Sequence, residues 1–110
     1  MDISEISEGA VLIVAVSGRV DSGTAKQLEE VLPERMQNTP QLVLDLADVQ
    51  YVSSAGLRVM LKAAKIARGN GNKLVLAGLA PPVKEVFHVS GFEAIFRIVD
   101  DRAAALAALA

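Results

Sequence analysis

Leu42 to Arg68 reads LVLDLADVQYVSSAGLRVMLKAAKIAR. Leu42 to Leu46 is apolar at every position except Asp45, the pattern of a strand covered on both faces. Ser53 and Ser54 follow, then Ala55 and Gly56. Apolar residues then recur at helical spacing, which predicts a helix from about Ala55 to Arg68. Gly69-Asn70-Gly71 stops it by supplying left-handed conformations. Lys73 to Ala77 is the next apolar run. Strand, helix and strand together have the length of a βαβ unit, whose strands run parallel through a right-handed crossover. The two serines therefore sit where a strand turns into a helix and backbone N–H groups lack intrahelical partners.

Upstream, Ile3 to Ile6 suggests a short strand, and Gly9-Ala10 turns it into the run Val11 to Val16, which Ser17-Gly18 ends. Asp21-Ser22-Gly23 is turn chemistry. Thr24 followed by Gln27 resembles a capping box, opening a helix whose inner face is Ala25, Leu28, Leu32 and Met36. Pro33 is expected to kink or restart that helix. Downstream, Pro81-Pro82 opens a helix to about Ser90, before Gly91. Ala94 to Val99 is read as a strand, and Asp100 as the cap of a final helix holding Leu106 and Leu109. The order ββαβαβαβα predicts one α/β domain over 1–110, a mixed sheet of four to five strands with about four helices packed on it.

The composition removes several classes of function. The chain has 110 residues, 52% apolar, enough for one core. A formal net charge of −2 argues against a general nucleic-acid binder. No cysteine is present, so thiol chemistry, disulfides and thiolate metal sites are excluded. His88 is the single histidine and is read as structural, which leaves a Ser-His-Asp triad without material. No signal peptide or membrane-spanning run is seen, and a soluble cytoplasmic protein without cofactor or metal is expected.

Arg58, Lys62, Lys65 and Arg68 form one basic stripe on the helix after the serines. A solvated face is one reading and a partner-binding face the other. Arg58 favours the second, because a cation in the first turn opposes the helix dipole by about 0.3–1 kcal/mol. Ser53 or Ser54 caps the helix, or one of them carries a phosphate. Nucleophilic catalysis lacks the Gly-x-Ser-x-Gly elbow and a placed base. Asp21, Asp45 and Asp48 have no metal-site spacing and read as solvated turn acids.

Leu44-Asp45-Leu46, Val49 and Val52-Ser53-Ser54-Ala55-Gly56-Leu57 resemble the signature of STAS domains, the anti-sigma factor antagonists typified by SpoIIAA. Gly18-Arg19-Val20-Asp21 resembles the Gly-x-hydrophobic-Asp that the family carries after its second strand. The resemblance extends over nearly the whole chain and implies a SpoIIAA-like fold with helices along one side of a mixed sheet.

It also implies a role that is not enzymatic. Such proteins, unphosphorylated, bind an anti-sigma factor that is itself a serine kinase of the histidine-kinase-like ATPase superfamily, and so release a sigma factor. Phosphorylation at the serine turn ends the binding, and a PP2C-type phosphatase restores it. The usual acceptor directly precedes the glycine; here that residue is Ala55, and Ser53 takes the usual acidic position. Ser54 is then the implied acceptor and Ser53 the second choice, with a constitutive binder left open. Asp21, Ser53, Ser54, Gly56, Arg58 and Lys62 make up the implied partner surface on a monomer or weak dimer without nucleic acid or membrane. The alternative is a STAS-type scaffold or ligand-sensing subunit that binds another regulator or a transport complex without phosphorylation.

Overall fold

Side chains alternate across a strand, so each central strand distributes its apolar residues to two faces. A computed structural model describes residues 1–110 and shows both faces filled. The strands are β1 (Asp2–Glu8), β2 (Val11–Val20), β3 (Gln41–Val52), β4 (Lys73–Ala77) and β5 (Arg97–Val99). The helices are α1 (Ala25–Asn38), α2 (Ser54–Asn70), α3 (Pro81–Val89) and α4 (Arg102–Leu109), with one 3-10 turn at Phe92–Ala94. The sheet order is β1-β2-β3-β4-β5; β1 is antiparallel to β2 and every other pair is parallel. The expected mixed α/β sheet is therefore present with five strands and four helices.

Val14 and Val16 of β2, Leu42, Leu44 and Leu46 of β3 and Leu76 of β4 face α1, α2 and α3. Val11, Ile13, Val43, Val75 and Ala77 point the other way and are covered by Ala105 and Leu109 of α4. Helices thus lie on both faces, three against one, and not along one side as the resemblance implied. Burying each Leu or Ile here contributes about 1.5–3 kcal/mol.

Several elements differ from their sequence reading. β2 continues past Ser17-Gly18 to Val20, through register shifts against β3 on either side of that pair. Gly18 takes φ 97°, a left-handed value suited to glycine, and so keeps the strand going. β3 likewise continues past Leu46 to Val52; Ala47-Asp48 and Gln50-Tyr51 lie on exposed positions while Val49 and Val52 stay buried.

Pro33 does not interrupt α1, which runs unbroken through it. The carbonyl that Pro33 deprives of a donor belongs to Glu29, an exposed residue that water can serve. The Thr24–Gln27 capping box does not form: Thr24 Oγ1 donates to the Arg19 carbonyl at 2.8 Å instead. Ala94 belongs to the 3-10 turn, so β5 starts only at Arg97. Asp101, not Asp100, caps α4, accepting from Ala104 N at 2.8 Å.

Asp45 is the largest correction among the acids. It is not a solvated turn residue but the one buried charged residue, 8% exposed, in the middle of β3. Its Oδ2 accepts from Arg102 Nε at 3.0 Å and pairs with Nη2 at 2.9 Å, and its Oδ1 accepts from Ala47 N at 3.0 Å. A buried carboxylate needs such partners. The arrival of α4 supplies the cation.

Candidate functional site at the serine turn

β2 and β3 end side by side, with Val20 opposite Val52. Ser53 N donates to the Val20 carbonyl at 2.7 Å, which ties the serine turn to the start of the Asp21 loop. Ser53 has extended backbone angles and its Oγ accepts from Gly56 N at 3.2 Å. Ser53 is therefore the cap of α2. Ser54 is the first helical residue; it is exposed, and its hydroxyl makes no hydrogen bond within the chain.

Gly56 is there because nothing larger fits. A Cβ on it would lie 2.6 Å from Val20 Cγ1, 3.1 Å from Val52 Cγ1 and 3.4 Å from the Val20 carbonyl oxygen. The first turn of α2 can sit close on the ends of β2 and β3 only without a side chain at this position. That contact, with the Ser53–Val20 hydrogen bond, gives the turn a rigid seat.

Asp21 is half-buried and occupied by its own turn. Its Oδ1 accepts from Gly23 N at 2.9 Å and Thr24 N at 3.0 Å, and its carbonyl accepts from Ala25 N at 2.8 Å. The Thr24 N–H is the main reason its pKa is lowered, because a carboxylate that accepts backbone N–H bonds resists protonation. Arg19 Nε lies 3.8 Å from Asp21 Oδ2, while the Arg19 guanidinium sits 4.3 Å over the Tyr51 ring. Sequence reasoning missed Arg19 and Tyr51 as members of this surface. The signal was there, since Tyr51 is the single tyrosine and follows a polar residue near the end of a strand.

Arg58 lies one turn beyond Ser54 on the same side of α2, and Lys62 one turn further. Both are exposed. Asp21, Ser53, Ser54, Gly56 and Arg58 thus gather at the end of the β2–β3 pair. The three aspartates do not: Asp45 faces Arg102, and Asp48 is exposed on β3 opposite Ser17. No group of three His, Cys, Asp or Glu side chains is arranged to hold a metal ion. His88 is exposed on α3 with Nδ1 2.7 Å from Glu93 Oε1, so its ring is engaged there and not with either serine. No helix is long and apolar enough to cross a membrane.

The sequence model of the STAS domain family matches residues 3–105. A Bordetella bronchiseptica protein named BtrV, described provisionally as an anti-sigma factor antagonist, is 46% identical over 99 residues, covering 89% of this chain and 85% of that one. The anti-sigma F factor antagonist of Paenibacillus polymyxa is 32% identical over 101 residues, covering 90% and 86%. Among solved structures, an anti-sigma factor antagonist from Mycobacterium paratuberculosis superposes with a TM-score of 0.89 at 25% identity, over 97% of this chain and 92% of that one.

Proposed function

The chain belongs to the STAS domain family, and from that premise we propose that it is an anti-sigma factor antagonist switched by phosphorylation of Ser54. Unphosphorylated, it binds an anti-sigma factor that is also a serine kinase of the histidine-kinase-like ATPase superfamily, and a sigma factor is released. The kinase transfers a phosphoryl group to Ser54 and the complex separates. A PP2C-type phosphatase restores the binding form. The protein acts in the cytoplasm by binding, as a monomer or weak dimer, without a cofactor.

The observation that carries this reading is the division of labour between the serines. Ser53 is committed as the helix cap, whereas Ser54 presents a free hydroxyl on a rigidly seated turn. The names of the relatives support the antagonist role.

The physics of the switch is local. A phosphoryl group adds about −1.5 to −2 charges and three acceptor oxygens. At the first position of α2 the helix N-terminus and Arg58 favour that charge, so the fold is retained. The partner meets a changed surface. A carboxylate docked on Arg58 loses its cation to the phosphate and faces a like charge, which at an interface costs several kcal/mol. A micromolar complex, at about −8 kcal/mol, does not survive that loss. Asp21, Ser53, Ser54, Arg58 and Lys62 form the contact surface in this reading; Gly56, expected there from the resemblance, is buried against Val20 and Val52 and acts by seating the turn.

The test is incubation with the candidate anti-sigma kinase and ATP, read by intact and peptide-level mass spectrometry. One phosphate on Ser54, absent from Ser54→Ala, together with lost kinase binding by a folded Ser54→Asp variant, is the expected result. A phosphate on Ser53 would move the site by one residue. A stable complex without any phosphate would make the chain a constitutive binding module and reduce Ser54 to a surface residue of α2.

A further inference from the structure

The exposed face of α2 carries a charge pattern that the chain itself does not use. The protein has eleven Lys and Arg against thirteen Asp and Glu. α2 holds four of those cations and no acid. Arg58, Lys62, Lys65 and Arg68 are all exposed, and none takes part in the ion pairs at Arg19, Arg35, His88 or Arg102. Like charges three and four residues apart repel one another along a helix. Only Arg68, in the last turn, gains from the helix dipole; Arg58, in the first, is opposed by it. Interspersed charges of both signs would keep this face soluble without that repulsion.

The far end of the stripe opens onto a notch of about 220 Å³ with one apolar wall. Ala64, Ala67, Leu74, Ile95 and Phe96 form that wall, and the polar side is Arg68 and Asn72. Ile95 is 39% exposed, a large aliphatic side chain left facing water. From Ser54 to Arg68 the helix rises about 21 Å, well beyond the Debye length of about 8 Å at physiological salt. The notch and the last two cations are therefore electrostatically separate from the serine.

We infer that the length of α2 is a docking track for an acidic amphipathic helix of the anti-sigma partner, whose carboxylates meet Arg58, Lys62, Lys65 and Arg68 and whose one large apolar side chain fills the notch beside Ile95. The inference rests on the antagonist reading above and extends it to a second, serine-remote contact. Charge complementarity selects the occupant. An acidic face every three to four residues matches the stripe, and an apolar anchor matches the Ala64, Ala67, Ile95 and Phe96 wall of the notch at its far end. The arrangement divides the work: the end at Arg58 is exposed to the phosphoryl group, while the end at Arg68 adds affinity to the unphosphorylated complex through a contact too distant to sense Ser54 directly.

The experiment titrates the fluorescently labelled chain with the anti-sigma kinase that phosphorylates it, at low and at high salt. Lys65→Glu/Arg68→Glu is expected to weaken binding about tenfold at low salt, and much less when the Debye length is cut to a few ångströms. Ile95→Ala is expected to weaken it several-fold at both salts, since the notch contact is apolar. Lys84→Glu, an exposed cation on α3, serves as the control and leaves affinity unchanged. Circular dichroism checks that each variant is folded. Binding that survives the double charge reversal and Ile95→Ala overturns this inference and leaves the antagonist reading standing. Absence of binding by the unaltered chain at either salt overturns that reading, and this inference with it. Variants that change self-association and not kinase affinity would identify the occupant as a second copy, which also overturns the inference.

Discussion

Gly56→Ala and Gly69→Ala make the same chemical change in the same helix and are expected to move stability in opposite directions. At Gly69 an added Cβ meets nothing within 4 Å, so alanine contributes only its higher helix propensity. A gain of about 0.5–1 kcal/mol follows. At Gly56 the Cβ would stand 2.6 Å from Val20 Cγ1, where carbon atoms normally keep about 3.5–4.0 Å. The overlap is therefore about 1 Å. Val20 cannot absorb it by turning, because it is fully buried and β-branched, and the same Cβ would also stand 3.1 Å from Val52 Cγ1. The helix start must lift instead, straining the 2.7 Å bond from Ser53 N to the Val20 carbonyl. Overpacking of this kind costs about 1–3 kcal/mol, which outweighs the propensity gain and leaves a net loss of about 1–2 kcal/mol. For a domain of this size Tm should fall by roughly 4–10 °C. Urea unfolding gives the free energies, and the amide shifts of Ser53 and Ser54 report the lift. A Gly56→Ala variant as stable as the parent, with those amides unmoved, would refute the close-packed turn.

The serines separate by their bonds: Ser53→Ala loses the cap of α2 and about 1 kcal/mol, whereas Ser54→Ala leaves urea stability within about 0.5 kcal/mol. Asp45→Ala strands the Ala47 N–H and the Arg102 guanidinium, and calorimetry should show a loss of about 1–3 kcal/mol. Arg102 is 40% exposed, so its own replacement is expected to cost less, and the double variant to fall short of the sum. The Glu93 carboxylate bonded to His88 raises its pKa above 6.5. That pairing stabilises fully below pH 6.5 and is lost as pH rises through the folded value; an NMR titration should show the raised midpoint, and Glu93→Gln should return it towards 6.5. Asp21 behaves oppositely. Its carboxylate is held below 3.8 by the Thr24 N–H, so its contribution is present above 3.8 and fades as pH falls through the folded value, which the Gly23 and Thr24 amide shifts should report.

The legible parts of the fold were those set by local pattern. The run Leu42 to Leu46 reads as two-sided burial because both faces are in fact covered, and Gly71 ends α2 in the left-handed conformation, φ 76°. What escaped depends on partners distant in sequence. Pro33 reads as a break when solvent access to the carbonyl behind it is unknown. Asp45 reads as a turn acid when Arg102, 57 residues later, is not yet known to reach it. The bulges that carry β2 on to Val20 involve β3, which no pattern within β2 announces. At the serine turn, spacing gave the position and left the roles of the two hydroxyls open. Ser53 is distinguished as the cap by one hydrogen bond, to Gly56 N. Asp21 entered through the family resemblance, and the pairing of Val20 with Val52 supplies the physical reason it lies beside the turn.

The five strands pair in the order in which they occur in the chain. During synthesis on a ribosome, each new strand finds its neighbour already in place, and the sheet can lengthen by one edge at a time. The cover of the second face is the exception. Gln41 Nε2 waits for the carbonyl of Leu109, 68 residues later, and Asp45 waits for Arg102. Until α4 has emerged, Val11, Ile13, Val43, Val75 and Ala77 form a bare apolar patch on an otherwise assembled sheet. A nascent chain paused before Arg102 is thus the form most in need of a chaperone, and the one most prone to stick to its own copies on a polysome.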